Sequence, residues 1–263
     1  MAAGSVKDKP KIPQEKPASL RPVAEDETLV RQAVKIVSEY IRTNALRVGD
    51  ILPGEKYFAE QLGVSRAVTR EAFGALAALR LIEVKNGRKP RVSTMDGTVI
   101  ATALAHAVNT AQISVVEIWE VRRTIEQRTA ALAAAVRTDA EAAEIMAHAQ
   151  AMAESADDFD RLAEHDVAFH RAIARASHNA LFVQIVSSFE PLMEVAVPMA
   201  WRTRTTEPER QAVFQNHLAI ARAILGNDTG AASAAMYMHF DATVTDILLA
   251  MSNAASRADP ITA

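Results

Sequence analysis

Apolar residues recur at helical spacing over most of the chain. From Leu29 to Ile41 they fall on one face, which predicts an amphipathic helix. A second helix is predicted in EKYFAEQL, and Ser65 stands at the N-cap position before RAVTREAFGALAAL. The segments LIEVK and PRVS flank Asn86-Gly87, a pair typical of a tight hairpin turn. This order of elements predicts a winged helix-turn-helix.

After Thr94 the sequence is rich in alanine, and its apolar residues keep helical spacing. Candidate helices lie near 97–110, 114–136, 139–154, 158–176, 179–197, 207–226 and 228–251. The chain is therefore predicted to be mainly α, with an N-terminal winged helix-turn-helix at 27–94 followed by an all-α helical bundle at 95–255. Residues 1–26 combine Lys, Pro and Glu with few apolar residues, so we expect a disordered arm there and a flexible tail at 256–263.

Charge divides along the same boundary. Lys and Arg number 12 against 7 Asp and Glu over 27–94, but 12 against 21 over 95–263. A basic module joined to an acidic one indicates that the basic module binds a polyanion.

The absence of cysteine excludes disulfides and thiolate metal sites. No apolar run has the length of a membrane span and the amino terminus lacks a signal-peptide core, so we expect a cytoplasmic protein with no membrane partner.

Basic side chains occupy positions from which a recognition helix reads DNA. An α-helix fits the major groove, and residues near its amino terminus face base edges. Arg66 and Arg70 stand one turn apart, and a guanidinium fork suits guanine or phosphate. The hairpin tip adds Arg88 and Lys89. Exposed arginines usually only face solvent, but this combination within a basic module favours DNA contact.

The run LPGEKYFAEQLGVSRAVTREAFGAL, followed by LIEVKNGRKPRV, resembles the DNA-binding domain of the GntR family of bacterial transcription regulators. The family's DNA contacts correspond here to a lysine of the second helix, to the start of the third helix and to the wing, which is the hairpin that contains Asn86-Gly87. With the hairpin-tip cations, the expected DNA-binding residues are Lys56, Ser65, Arg66, Ala67, Thr69, Arg70, Asn86, Gly87, Arg88 and Lys89.

Three positions depart from the family pattern. Lys56 stands where arginine is usual, Phe58 replaces leucine, and Thr69 replaces valine. Lysine keeps the charge but lacks the fork, so we expect Lys56 to contact phosphate rather than a base.

Four residues of the second module have the chemistry of a metal site. Asp166 and His170 stand one turn apart on one helix face, and His217 and His239 lie in apolar patterns that turn them inward. Burying these groups without partners is costly, and either a shared divalent ion or a hydrogen-bonded polar core satisfies all four. The spacing leaves both interpretations open. His106, His148 and His165 are interpreted as surface or hydrogen-bonded residues.

The segments EVRRTIEQRTAALAA, DVAFH, ASHN, HLAIARAI and MYMH resemble, in order, the ligand-binding domain of the FadR-like branch of this family. In its metal-binding members one Asp and three His hold a divalent ion, and the matching metal ligands here are Asp166, His170, His217 and His239. Nitrogen and oxygen donors suit Zn first, and also Ni, Mn or Co.

The same resemblance supplies two expected effector-binding residues. Arg122 matches an arginine that clamps an acid group, and an ion pair with Glu126 is a compatible alternative. Asn179 is expected either to orient a ligand or, as we favour, to cap the helix that begins at Ala180.

The resemblance implies a ligand-responsive transcriptional regulator rather than an enzyme. As a homodimer it is expected to bind a palindromic operator in double-stranded DNA, with repression relieved by a small carboxylate or sugar-acid effector beside the metal. One alternative is a regulator for which the ion itself is the signal. Another is a metallohydrolase bundle fused to a DNA-binding domain, which the absence of an H-E-x-x-H helix disfavours.

Overall fold

The computed structural model describes residues 28–241, so the predicted arm and tail lie outside the described residues. The chain divides into two compact units. One holds the chain up to Leu76 together with Val84–Val92, and the other holds Ala77–Glu83 and the chain from Ser93 onward.

Residues 28–94 contain the elements predicted for a winged helix-turn-helix. They are the helices α1 (Leu29–Thr43), α2 (Glu55–Leu62) and α3 (Arg66–Ala78), followed by the two-stranded sheet of β1 (Ile82–Glu83) and β2 (Arg91–Val92). Gly63 ends α2 with a φ of 64°, in the left-handed region that favours glycine. The strands are only two residues long, shorter than the segments LIEVK and PRVS, because the turn at the hairpin tip takes up the residues between them.

The second unit is a helical bundle. Its helices are α4 (Thr98–Asn109), α5 (Val115–Val136), α6 (Asp139–Glu154), α7 (Phe159–Ala176), α8 (Ala180–Ser188), α9 (Glu190–Thr203), α10 (Glu207–Leu225) and α11 (229–241). Helix α7 is central, since it packs against α5, α6, α8 and α9. Capping boxes fix the starts of α5, α6 and α10, where each N-cap hydroxyl and a glutamate three residues later satisfy exposed backbone N–H groups.

One predicted helix is two helices in the structure. The segment 179–197 was expected to be continuous, but α8 ends at Ser188 and α9 begins at Glu190, with 53° between them. Pro191 lies in the first turn of α9, where its missing N–H costs nothing, whereas in a continuous helix its ring would clash with the preceding turn. The break lets α9 run on to Thr203, which places Trp201 and Arg204 at its carboxyl end.

The mainly α fold, a winged helix-turn-helix followed by a helical bundle, is confirmed. Among the described helices, none is long and apolar enough to cross a membrane by itself, although the bent pair of α8 and α9 meets that test jointly.

Candidate functional site

The first unit presents an exposed basic surface around the start of α3. Arg66 and Arg70 are exposed on one face of that helix, as are Ser65 and Ala67 at its amino end. Ser65 Oγ accepts a hydrogen bond from the Val68 backbone N–H at 3.3 Å, which is the N-cap contact that the sequence predicted. The helix therefore begins at the position from which recognition helices reach base edges.

Two acidic residues of α2 lie next to the basic side chains of this surface. Arg70 Nε is 3.3 Å from Glu55 Oε2, and Lys56 Nζ is 3.6 Å from Glu60 Oε1. All four groups are at least partly exposed, so these ion pairs are weak and open to competition from phosphate. The ion pair with Glu55 orients the Arg70 side chain but leaves it exposed to solvent.

The wing and Thr69 differ in exposure. Asn86, Gly87, Arg88 and Lys89 are all exposed, and Gly87 has a φ of 70° in the turn. Thr69, by contrast, is completely buried, and its hydroxyl donates to the Ser65 carbonyl oxygen at 3.4 Å. Nine of the ten predicted DNA-binding residues therefore lie at the surface, whereas the side chain of Thr69 is buried inside the domain.

In the second unit, three buried histidines converge from three helices. His170 comes from α7, His217 from α10 and His239 from α11, and one ring nitrogen of each lies within 4.8 Å of those of the others. Asp166, one turn before His170, joins them, because its Oδ1 is 3.2 Å from His217 Nε2. The four residues predicted as metal ligands are thus brought together.

The contacts of His217 require a proton or a metal ion between it and Asp166. Its Nδ1 is 2.9 Å from the Val213 carbonyl oxygen, so in the neutral ring Nδ1 carries the proton and Nε2 is an acceptor. Nε2 faces Asp166 Oδ1, a second acceptor, and two acceptors lie so close only with a proton or a metal ion between them. Two ligands that are each about 2 Å from a tetrahedral ion lie about 3.3 Å apart, which agrees with the observed separation.

A second carboxylate supports the cluster from outside. Glu126 Oε2 lies against His170 Nδ1, and Glu126 Oε1 accepts from Arg122 Nε at 2.7 Å. All three side chains are almost fully buried, at 1–3% exposure. A carboxylate on one ring nitrogen fixes the orientation of a histidine and leaves the other nitrogen for a metal, as is common around bound ions.

The neighbouring groups hold Asp166 in its ionised form. Burial alone would raise the pKa of Asp166, but the His217 contact and the charges of the three histidines outweigh it and hold that pKa well below its usual range. Burial, together with His217 and His170, lowers the pKa of His239 well below its ordinary value. The ionised form of Asp166 is the form that binds a metal ion.

A small cavity adjoins the cluster. Asp166, His217 and His239 lie on its wall, together with the buried Arg204 and the rings of Trp119, Trp201 and Phe214. It leaves about 30 Å³ for the centres of water-sized groups. This is room for two or three such groups, since one water needs about 10–15 Å³ by this measure.

The two residues expected to bind an effector lie elsewhere. Arg122 is 2% exposed, contacts Met193 and has its guanidinium 4.7 Å from the centre of the Trp119 ring, but it is not on the cavity wall. Asn179 Oδ1 accepts from the backbone N–H groups of Leu181 and Phe182 at 3.0 and 3.4 Å, so it caps α8. The structure thus gives both residues the alternative roles considered from the sequence, an ion pair and a helix cap.

Arg204 is a neighbour of the site whose place the sequence left open, and Trp119 and Glu126 are neighbours that the sequence did not predict. A weak signal existed for the first, since Val197, Trp201 and Arg204 recur at intervals of four and three and all line the cavity. Nothing in the sequence pairs Glu126 with His170, which lies on a different helix.

Both units match models of known families. The model described as bacterial regulatory proteins, gntR family, matches residues 29–92, and that of the FCD domain matches residues 117–242. LutR of Bacillus subtilis, an HTH-type transcriptional regulator, is 31% identical over 213 residues, covering 79% of this chain and 95% of LutR. This chain belongs to the GntR family. Its FCD domain places it in the FadR-like branch, and it is a transcriptional regulator with an effector-binding domain.

Other relatives of this GntR-family regulator act in opposite directions. The Glc operon transcriptional activator of Escherichia coli K12 is 29% identical over 205 residues, 74% of this chain and 81% of the activator. The galactonate operon transcriptional repressor of the same strain is 28% identical over 193 residues, 71% of this chain and 82% of the repressor. These relatives are transcription regulators, which are not enzymes.

A solved structure agrees with the fold. The GntR protein of Streptococcus agalactiae superposes with a TM-score of 0.60 at 23% identity, covering 82% of this chain and 99% of that one. At this identity the likeness extends to the fold alone.

Proposed function

We propose that this GntR-family regulator is a cytoplasmic homodimer that binds a palindromic operator and releases it when a small organic acid binds beside a divalent metal in the FCD domain. The observation that carries the proposal is the convergence of His170, His217 and His239, with the Asp166 carboxylate 3.2 Å from His217; Asp166, His217 and His239 lie on the wall of a cavity. A buried polar cluster that adjoins a cavity has the composition of a ligand site.

The donor set fits a divalent transition metal. Three imidazole nitrogens and one carboxylate oxygen, with no sulfur, suit Zn first and also Ni, Mn or Co. When bound, the ion supplies a fixed positive charge that attracts carboxylate or hydroxyl oxygens. The Val213 carbonyl and Glu126 hold the rings of His217 and His170 in place for it.

The exposed face of α3 supports the DNA-binding half of the proposal. Arg66 and Arg70 are available to bases or phosphate, while Arg88 and Lys89 extend the positive surface into the wing. In a two-fold symmetric dimer each winged helix-turn-helix meets one half-site, so the operator is palindromic.

Acid and DNA binding are coupled through the conformation of the helical bundle. By linkage the coupling is reciprocal, so operator DNA weakens acid binding by the factor by which acid weakens DNA binding. The relatives include an activator and a repressor, and we propose repression on the pattern of the galactonate operon repressor. The cavity beside the cluster favours an organic acid over the ion alone as the signal.

The proposal is tested by the thermal unfolding midpoint of the full-length protein against hydroxy acids, sugar acids, dicarboxylates and fatty acids, before and after chelation. We expect one class of acid to raise the midpoint in metal-loaded protein, because a ligand that binds only the folded state stabilises it. Chelation should abolish this shift. A shift that survives chelation contradicts a metal-anchored site, and an effect of metal alone on DNA affinity, with no acid active, makes the ion the signal.

Replacing Glu126 by glutamine is expected to lower zinc affinity about 10- to 100-fold without removing a metal ligand. The amide keeps the shape of the side chain but loses the charge that orients His170, and supporting residues of this kind have effects of this size. Zinc affinity is measured by competition with a chromophoric chelator, and the zinc-free variant is checked for folding by circular dichroism. Glu120, exposed on the same helix, supplies the control as Glu120→Gln. Equal zinc affinities in Glu126→Gln and wild type contradict the supporting role.

A further inference from the structure

Two histidines outside the buried cluster lie against each other on neighbouring helices. His148 belongs to α6 and His165 to α7, and these two helices pack together. Their Nδ1 atoms are 3.4 Å apart, and their ring planes are inclined at 46° to each other. Both residues are only partly buried, so a dissolved ion reaches their rings. We call these two residues the histidine pair.

The separation of the two nitrogens suits a shared metal ion better than a hydrogen bond. Hydrogen bonds from N–H groups in proteins are ordinarily about 2.7–3.2 Å long, so one of 3.4 Å is weak. Zinc binds an imidazole nitrogen at about 2.0–2.1 Å, and the tetrahedral angle then places two such nitrogens about 3.3 Å apart. The histidine pair therefore has the spacing of two ligands to one ion.

The groups around His148 leave the lone pair of its Nδ1 available. Glu144, one turn earlier on α6, has Oε1 3.9 Å from His148 Nε2 and accepts from Arg175 Nη2 at 2.5 Å. A carboxylate near Nε2 favours the tautomer with the proton on Nε2 and the lone pair on Nδ1, which faces His165. Burial and the charge of His165 lower the pKa of His148, and the neutral ring is the form that binds a metal.

We propose that His148 and His165 form a second divalent-metal site, separate from the buried histidine cluster. Imidazole nitrogens completed by water suit a late first-row ion such as Zn, Ni or Cu. Two protein ligands hold an ion less tightly than four, so this site fills only at zinc concentrations well above those that saturate the cluster. The inference goes beyond the proposed function and does not depend on it.

Zinc titration counts the two sites. Full-length protein is stripped of metal with a chelator, dialysed and titrated with zinc by isothermal titration calorimetry. We expect two binding events in the wild type, each of one zinc per chain. His148→Gln and His165→Gln, on different helices, are each expected to weaken the weaker event at least about tenfold, because one imidazole lacks the chelate effect of two. Both variants should keep the tighter event, and their folding is checked by circular dichroism.

The matched control is His178→Gln. His178 is exposed and its Nε2 lies 3.0 Å from Glu141 Oε1, so it is a surface histidine beside a carboxylate that does not belong to the pair. This variant should keep both events. Loss of the weaker event in His178→Gln alone, or survival of both events in the two pair variants, overturns the inference.

His217→Ala separates this inference from the proposed function. The variant should lose the tighter event and keep the weaker one. A single wild-type event that is lost in His217→Ala and kept in the pair variants means that the pair is only hydrogen-bonded, so the inference fails while the proposed function stands. A single event that survives in His217→Ala and is lost in the pair variants supports the second site and contradicts the metal cluster. A wild type that binds no zinc overturns both.

Discussion

Replacing His217 by alanine is expected to lower the zinc affinity of the full-length protein more than about a hundredfold, beyond the effect of losing a supporting residue. The substitution removes the ring that faces Asp166 at 3.2 Å, and with it one of four proposed metal ligands. Zinc affinity is measured by competition with a chromophoric chelator. Zinc should also raise the unfolding temperature of the wild type and not that of the variant, because only a folded-state ligand stabilises the fold.

Two further variants distinguish the loss of a metal ligand from a simple loss of packing. Asp166→Asn preserves volume and removes only the charge, and it is expected to weaken zinc binding about tenfold or more. His106→Ala removes an exposed histidine from α4 and should bind zinc as the wild type does. Wild-type zinc affinity in folded His217→Ala and Asp166→Asn proteins would show that these residues form a polar core and not a metal site.

Replacing Arg66 or Arg70 by alanine is expected to weaken operator binding about 10- to 100-fold. Both side chains are exposed at the amino end of α3, so their removal takes away contacts without disturbing the core. The operator is first obtained by in vitro selection from random duplexes with the purified protein. Affinity is then measured by fluorescence anisotropy at several salt concentrations, where loss of a phosphate contact also lowers the salt slope by about one.

The control for the arginine variants is Arg222→Ala, which removes the same charge from an exposed position on α10 of the acidic bundle. It should leave operator affinity unchanged. Unchanged affinity in both Arg66→Ala and Arg70→Ala would contradict the assignment of α3 as the recognition helix. Equal losses in all three variants would mean that net charge, and not the α3 surface, is responsible.

The sequence predicted the fold wherever local signals were sufficient. Helical periodicity, N-caps and the Asn86-Gly87 pair identify the winged helix-turn-helix and most of the bundle, because these signals depend on near neighbours. The break between α8 and α9 was missed, since Pro191 is tolerated in a first helical turn and its position alone does not say where a helix begins.

The candidate site could be predicted only in part, again because sequence signals depend on near neighbours along the chain. Asp166 and His170 share a helix face, so their proximity follows from spacing. The neighbours of Glu126, Arg122 and Arg204 depend on tertiary packing between helices, which spacing does not specify. Thr69 is a similar case, since its place in the family motif does not reveal that its side chain is buried.

The central claim is that an acid bound at the metal cluster controls DNA binding. It is tested most directly by the affinity of the full-length protein for its selected operator, with and without an acid that raises the unfolding midpoint, in zinc-loaded and zinc-free forms and in His217→Ala. The account predicts that the acid lowers operator affinity about 5- to 150-fold in zinc-loaded protein and has no effect in the other two forms. An equal response to the acid in zinc-free protein or in His217→Ala would contradict it.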